Sequence, residues 1–204
     1  MQRLRMTFVA AFYNFSIELN NANNDTFVSF RLKIPRHELE SREHFYARLL
    51  AYLHAYREGL TFCDATPNPK LPTMWLKDAI DTVLMWVHVG APEKRTLELS
   101  LKQNSEAEHR VYFYQEGEIA NFCHHLRGSK TNWVKDVQFY LIDAHLLQEL
   151  ETLEQTSPHW NVSFLDEHIY LSIDGRDFES HVEHIDIWSA FQDSLRGEAG
   201  AASK

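Results

Sequence analysis

His88 is the one ionisable side chain in the apolar run TVLMWVHV, residues 82–89. If the run is a strand, period 2 places Leu84, Trp86, His88 and Gly90 on one face and Val83, Met85, Val87 and Val89 on the other. An imidazole so placed is either a core residue with a satisfied hydrogen bond or a group able to take a proton or hold a metal. Two carboxylates, Asp78 and Asp81, precede the run, and a Gly90-Ala91-Pro92 turn leads from it into Glu93, Lys94 and Arg95. The remaining arrangements are weaker. His181 and His184 have the spacing of metal ligands on a helix, with Asp186 close behind, but HVEHIDIW reads as a solvated acidic surface. His124 and His125 are neighbours whose side chains diverge on any regular backbone. Two cysteines, Cys63 and Cys123, cannot build a common structural zinc site. The chain has no GxGxxG, GxSxG or Walker-type loop, and its seven glycines leave little material for cradling phosphates, which argues against nucleotide hydrolysis.

The elements that must position these groups follow from periodicity. Residues 6–18 and 26–34 alternate as strands, and the NNANND loop between them predicts an antiparallel hairpin. Phe45, Leu49, Tyr52, Leu53 and Tyr56 then repeat at helical spacing, predicting a helix from about Glu40 to Arg57 that Gly59 stops. DATPNPKLP, residues 64–72, is a Pro-rich loop, and residues 82–89 read as a central strand buried on both faces. RVYFY (110–114) and VQFYLI (137–142) are further strands, separated by a short helix at 117–126. Asp143 is placed to cap a helix lined by Leu146, Leu147, Leu150 and Leu153. WNVSFLDEHIYLSI predicts a hairpin turning at Asp166 and Glu167. Interleaved strands and helices of this kind predict an α/β domain with a mixed sheet.

Length and composition set the outer bounds. The 204 residues are 44% hydrophobic and 24% charged, the proportions of one ordinary globular domain. We expect that domain to span residues 1–195, followed by a disordered tail, 196–204. The opening MQRLRMTFVAAFY has the basic residues and apolar stretch of a weak signal peptide, but lacks a cleavage site and runs into the alternating NFSIEL, so it reads as a first strand. The longest apolar run is too short to span a bilayer, which predicts no membrane partner. Two cysteines also fit a reducing, cytoplasmic location. The net charge of −9 argues against broad attraction to nucleic acid. It is unevenly spread, with 14 basic and 13 acidic residues up to Arg110 and 6 against 16 beyond it.

Three pieces of the chain together resemble the YaeQ proteins of bacteria: RHELESREHFYARLLAYL at 36–53, the segment carrying Trp75, Trp86 and VGAPEKR up to residue 95, and the NVSFLDEHIYLSI hairpin. The resemblance implies a restriction-endonuclease-like fold, a mixed β-sheet flanked by helices with N-terminal and C-terminal antiparallel hairpins, and places the chain beside the PD-(D/E)XK nucleases. Such nucleases hold Mg²⁺ with carboxylates from two neighbouring strands, while a helix carboxylate and a lysine orient the attacking water. Glu40, Glu43 and Arg48 match the family pattern, and Asp78 lies close to its usual acid. Leu71, Leu84 and His88 stand where family members carry acids, and Gly90 where many nucleases carry the lysine. Magnesium selects oxygen donors, so these replacements predict a degenerate metal site and no cofactor. Glu43, Asp78 and His88 are then the candidate catalytic residues of one cleft, with Glu40, Arg48, Trp86 and Lys94 around it. His88 is expected to hydrogen-bond a carboxylate or backbone group at the cleft wall. The expected function is binding; the alternative is a nuclease using a divalent metal through the surviving carboxylates and His88. For nucleic acid, Arg31, Lys33 and Arg36 and the group Arg127, Lys130, Trp133 and Lys135 combine charge with a base-stacking aromatic. A protein partner is the competing expectation, because such residues are also ordinary surface groups.

Overall fold

The chain opens with an antiparallel hairpin, β1 (Ala11–Asn21) and β2 (Thr26–Arg36), in register from Ala11 opposite Arg36 to Asn21 opposite Thr26. Its turn is closed by Asn21, whose side chain accepts from the Asn23 N–H, and by Asp25 in a left-handed conformation that Asp tolerates. Phe15, Ile17 and Leu19 point inward in alternation with exposed neighbours, as the sequence predicts. The structure, a computed structural model, describes residues 11–63, 71–127, 131–153 and 158–201, with side chains to residue 195. Residues 6–10 of the expected first strand, most of the Pro-rich loop and Lys130 lie outside them.

α1 (Arg42–His54) follows, shorter at both ends than its periodicity suggests. Ser41 caps it by accepting from the His44 N–H at 3.0 Å, and Glu43 in the first turn complements the helix dipole. Next come β3 (Thr61–Phe62), β4 (Met74–Lys77), β5 (Val83–Val89), α2 (Lys94–Gln103), β6 (Glu108–Phe113), α3 (Glu118–Leu126) and β7 (Val137–Ile142). α4 (Ala144–Glu151), capped by Asp143 as predicted, leads into β8 (His159–Leu165) and β9 (His168–Ile173), which turn at Asp166 and Glu167. β10 (Arg176–His184) and α5 (Ile187–Ala201) complete the described chain.

The ten strands of the described residues join one mixed, mostly antiparallel sheet in the order β2-β1-β8-β9-β10-β7-β6-β5-β4-β3. β5, β6 and β7 are mutually parallel, and β1 runs parallel to β8. β10 is the seam between the two halves, pairing with β9 through Arg176–His181 and with β7 through Val182–His184. Its segment was expected to be solvated surface with helical histidine spacing. As a strand it sends His181 and His184, an odd number of residues apart, to opposite faces.

The sheet separates two cores. α1 and α4 pack with Met85, Val87 and Val89 of β5, Tyr112 of β6 and Tyr114 just beyond that strand. On the other side Leu97 of α2, Phe122 of α3 and Phe191 of α5 pack against Val111, Phe113 and Phe139. This division follows from handedness. Parallel strands joined through a helix cross over in the right-handed sense, so α2 and α3 both land on the face away from α1. α5 also carries the backbone helix into the tail expected to lack structure.

Candidate functional site

His88 lies on a central strand and shares a face with Trp86, as its spacing predicts. Register with β6 shows which face this is. Trp86 pairs with His109 and His88 with Val111, a residue of the α2–α3–α5 core. The Trp86 indole Nε1–H donates to His88 Nε2 at 3.0 Å, which leaves the His88 proton on Nδ1. Burial, with the neighbouring His109 second, holds the His88 pKa down at about 4. The expected carboxylate or backbone partner is thus replaced by an indole, and the imidazole is a neutral acceptor inside the sheet. His109 Nε2 lies 3.1 Å from the carbonyl of Asn104, to which it donates, leaving Nδ1 buried without a partner.

The helix residues occupy the opposite face. Glu40 accepts from Arg48 Nε at 2.6 Å and Nη2 at 2.8 Å, and both side chains are less than a tenth exposed. Arg48 also donates to the Pro35 carbonyl, and Arg36 holds the Glu40 carbonyl through two N–H groups. His44 Nδ1 is 3.1 Å from the Tyr114 hydroxyl and its Nε2 is 3.8 Å from Glu40 Oε1. The tautomer that serves both contacts accepts from Tyr114 at Nδ1 and points Nε2–H at the carboxylate. Burial first, then Arg48, lowers the His44 pKa to about 4, while burial and the nearby Glu118, Glu43 and Glu40 raise Tyr114 to about 12.

These groups meet at the carboxyl ends of β5 and β6, where open α/β sheets present their crevices. Glu118 fastens the two ends together: its carboxylate accepts from Ala91 N at 3.0 Å, Tyr114 N at 2.7 Å and Gln115 N at 3.0 Å. Gly90 has φ +83° and faces Tyr114 and Glu118, so a side chain there would be strained. Glu43 accepts from Gln115 Nε2 at 3.2 Å on the rim. Sequence reasoning missed His44, Tyr114, Gln115 and Glu118. The available signal was the Gly117-Glu118 pair opening a helix just after a strand ending in Tyr.

The other expected residues lie elsewhere. Asp78 is partly exposed and closes its own turn, accepting from Ile80 N at 2.9 Å and Thr82 N at 2.8 Å; the Thr82 bond is the main cause of its lowered pKa. That turn sits at the opposite end of β5 from Gly90, roughly 20 Å away at about 3.3 Å per residue. Lys94 Nζ is 3.9 Å from Glu98 at the start of α2. Leu84, which stands where family members carry an acid, is 44% exposed. Glu43, Asp78 and His88 therefore do not converge: the sheet separates Glu43 from His88, and the length of β5 separates both from Asp78. Among the described residues no group of three His, Cys, Asp or Glu side chains is placed to hold a metal ion. The residues present do not fit the implied Mg²⁺ site.

The basic groups are equally dispersed. Arg31 and Lys33 are exposed on β2 at one end of the sheet, with Lys33 over the Phe12 ring, and Arg36 is engaged with Glu40. Trp133 donates to Glu98 and Lys135 lies over the Trp188 ring, beside the second core.

Comparison with known proteins agrees with this architecture. The family profile described as YaeQ protein matches residues 6–182. The uncharacterized protein YaeQ of Escherichia coli (strain K12) is 22% identical over 174 residues, covering 85% of this chain and 94% of the relative. Its counterpart in Salmonella typhi is 24% identical over 161 residues, covering 74% and 82%. The crystal structure of YaeQ protein from Pseudomonas syringae aligns with a TM-score of 0.73 at 22% identity, covering 86% of this chain and 96% of that one. The YaeQ structure from Xanthomonas axonopodis pv. citri gives 0.76 at 16% identity, with 86% and 98% covered. No helix among the described residues is long and apolar enough to cross a membrane.

Proposed function

We propose, from the premise that this chain belongs to the YaeQ family, that it is a binding protein built on a nuclease-like scaffold whose metal-holding donor set has been dismantled. Two features support the scaffold. β4 and β5 are neighbouring strands, and α1 packs on β5 with its acids at the strand ends, which is the placement the nuclease resemblance implies. The observation that carries loss of the metal site is the fate of its two best remaining positions. Glu40 is neutralised by a buried bidentate arginine, and the strand position taken by His88 turns away from α1 into a hydrogen bond with Trp86. A carboxylate committed to a guanidinium has little affinity left for a hard cation.

A protein partner fits better than nucleic acid. The crevice is rimmed by Glu43 and Glu118, Arg36 and Arg48 are committed to Glu40 and Arg42 to the Leu153 carbonyl, so it repels phosphate. The remaining basic residues form no single stripe that could follow a backbone.

The test is incubation with single- and double-stranded DNA and RNA in Mg²⁺ or Mn²⁺, alongside fluorescence anisotropy with the same oligonucleotides. The expected result is no cleavage and only weak, salt-sensitive binding. Metal-dependent cleavage abolished by Glu43→Gln or His88→Leu would overturn the proposal.

A further inference from the structure

We propose that β2 is a self-pairing edge: two copies of this chain join through antiparallel β2 strands about a twofold axis at Ser29. β2 is the end strand of the sheet, 11 residues long, and among the described residues it has a neighbour on one side only. Ser16 N donates to the Pro158 carbonyl, so even-numbered residues of β1 direct their backbone away from β2 and odd-numbered ones toward it. Phe15, Ile17 and Leu19 oppose Leu32, Phe30 and Val28, so the even residues of β2 bond to β1. The backbone groups of Phe27, Ser29, Arg31 and Lys33 therefore point outward. Pro35 belongs to the same outward set, where its missing N–H disturbs no ladder bond.

The side chains of this set select the occupant. Phe27, Ser29, Arg31 and Lys33 all project on the solvent face, and Phe27 is 82% exposed, unusual for an aromatic. Twofold pairing at Ser29 sets Ser29 opposite itself, Phe27 opposite Arg31 of the second copy, and brings Asp25 toward Lys33. Each guanidinium then meets an aromatic ring and each ammonium a carboxylate. On the inner face Val28 meets Phe30, extending the apolar layer that Phe30 already forms with Tyr56. A twofold at Arg31 would instead oppose two arginines. One at Phe30 would leave Asp25 facing Pro35. The Ser29 register alone uses every charge, and it is isologous, the form that closes a dimer rather than a fibre.

The test uses the full chain in light scattering coupled to size exclusion, with loading from about 1 to about 200 µM. The wild type is expected to shift from monomer toward dimer across that range. Ser29→Pro, which removes the central outward donor without touching the β1 ladder, should stay monomeric. Phe27→Glu should dimerise at least as well as wild type, because a carboxylate then opposes Arg31, whereas Phe27→Arg should stay monomeric. Position 27 is solvent-exposed, so at about 1 µM, where the chain is monomeric, unchanged melting temperatures of both variants are expected and exclude misfolding as the cause. A wild type that is monomeric throughout, or Phe27→Glu and Phe27→Arg that behave alike, would overturn the proposal.

Discussion

Two hydrogen-bonded pairs separate structural from ligand-facing roles at the residue scale. His88 is the sole partner of a buried indole N–H, so His88→Leu should cost about 1–3 kcal/mol of stability by leaving that donor unsatisfied. Trp86→Phe in the same background should recover part of the loss, and a double-mutant cycle by urea unfolding should give a coupling of about 1 kcal/mol. Additive effects would mean that the hydrogen bond contributes nothing. Glu40 and Arg48 predict a larger effect. Arg48→Met strands a buried carboxylate and should cost about 3–5 kcal/mol, whereas Glu40→Gln with Arg48→Met together should cost much less. Equal destabilisation by the single and double variants would contradict the pairing. The sequence made both groups visible as chemistry but could not assign it. Type and spacing singled out His88, yet the indole two residues earlier on the same face was read as a neighbour, not as its partner.

Elements were legible where burial imposed a strong period. The β1–β2 hairpin, α1, β5, β7, α4 and the β8–β9 hairpin follow the pattern of their apolar residues, and Asp143 caps α4 as its position suggests. β10 was hidden because only Phe178, Ser180 and Val182 turn inward, and the acidic and histidine residues between them are exposed, as the solvated-surface reading expects. The face of β5 that meets α1 was also illegible. Period 2 sorts Trp86 and His88 from Val87 and Val89 but does not say which set meets which helix; the handed crossovers through α2 and α3 decide that. Here Glu118 gives an element-scale prediction. It ties the ends of β5 and β6 through three backbone N–H groups, so Glu118→Ala should accelerate amide exchange at Ala91, Tyr114 and Gln115 while leaving β7 protected. Uniform acceleration across the sheet would show that the tie is not local.

For the whole molecule, the buried histidines set a pH dependence. His44 and His88 have pKa values lowered from 6.5 to about 4, and His54, held against Tyr112 at 2.8 Å, to about 3, in each case chiefly by burial. Below pH 6.5 the unfolded chain takes up protons that the folded chain refuses, so stability is complete above that pH and falls as pH drops toward 4. One such group accounts for roughly 3 kcal/mol over the window. Melting temperature should therefore decline between pH 6.5 and 5, above the range where most carboxylates titrate; a flat profile there would contradict the assigned burial. The central proposal, that this chain is a nuclease-like scaffold without a metal site, is tested directly by the melting temperature of the full chain in rising Mg²⁺. Specific binding at 100 times its dissociation constant would add about 2.7 kcal/mol, a shift of several degrees for a domain of this size. No saturable shift is expected up to about 10 mM Mg²⁺. A saturable rise of several degrees that Glu43→Gln removes would contradict it.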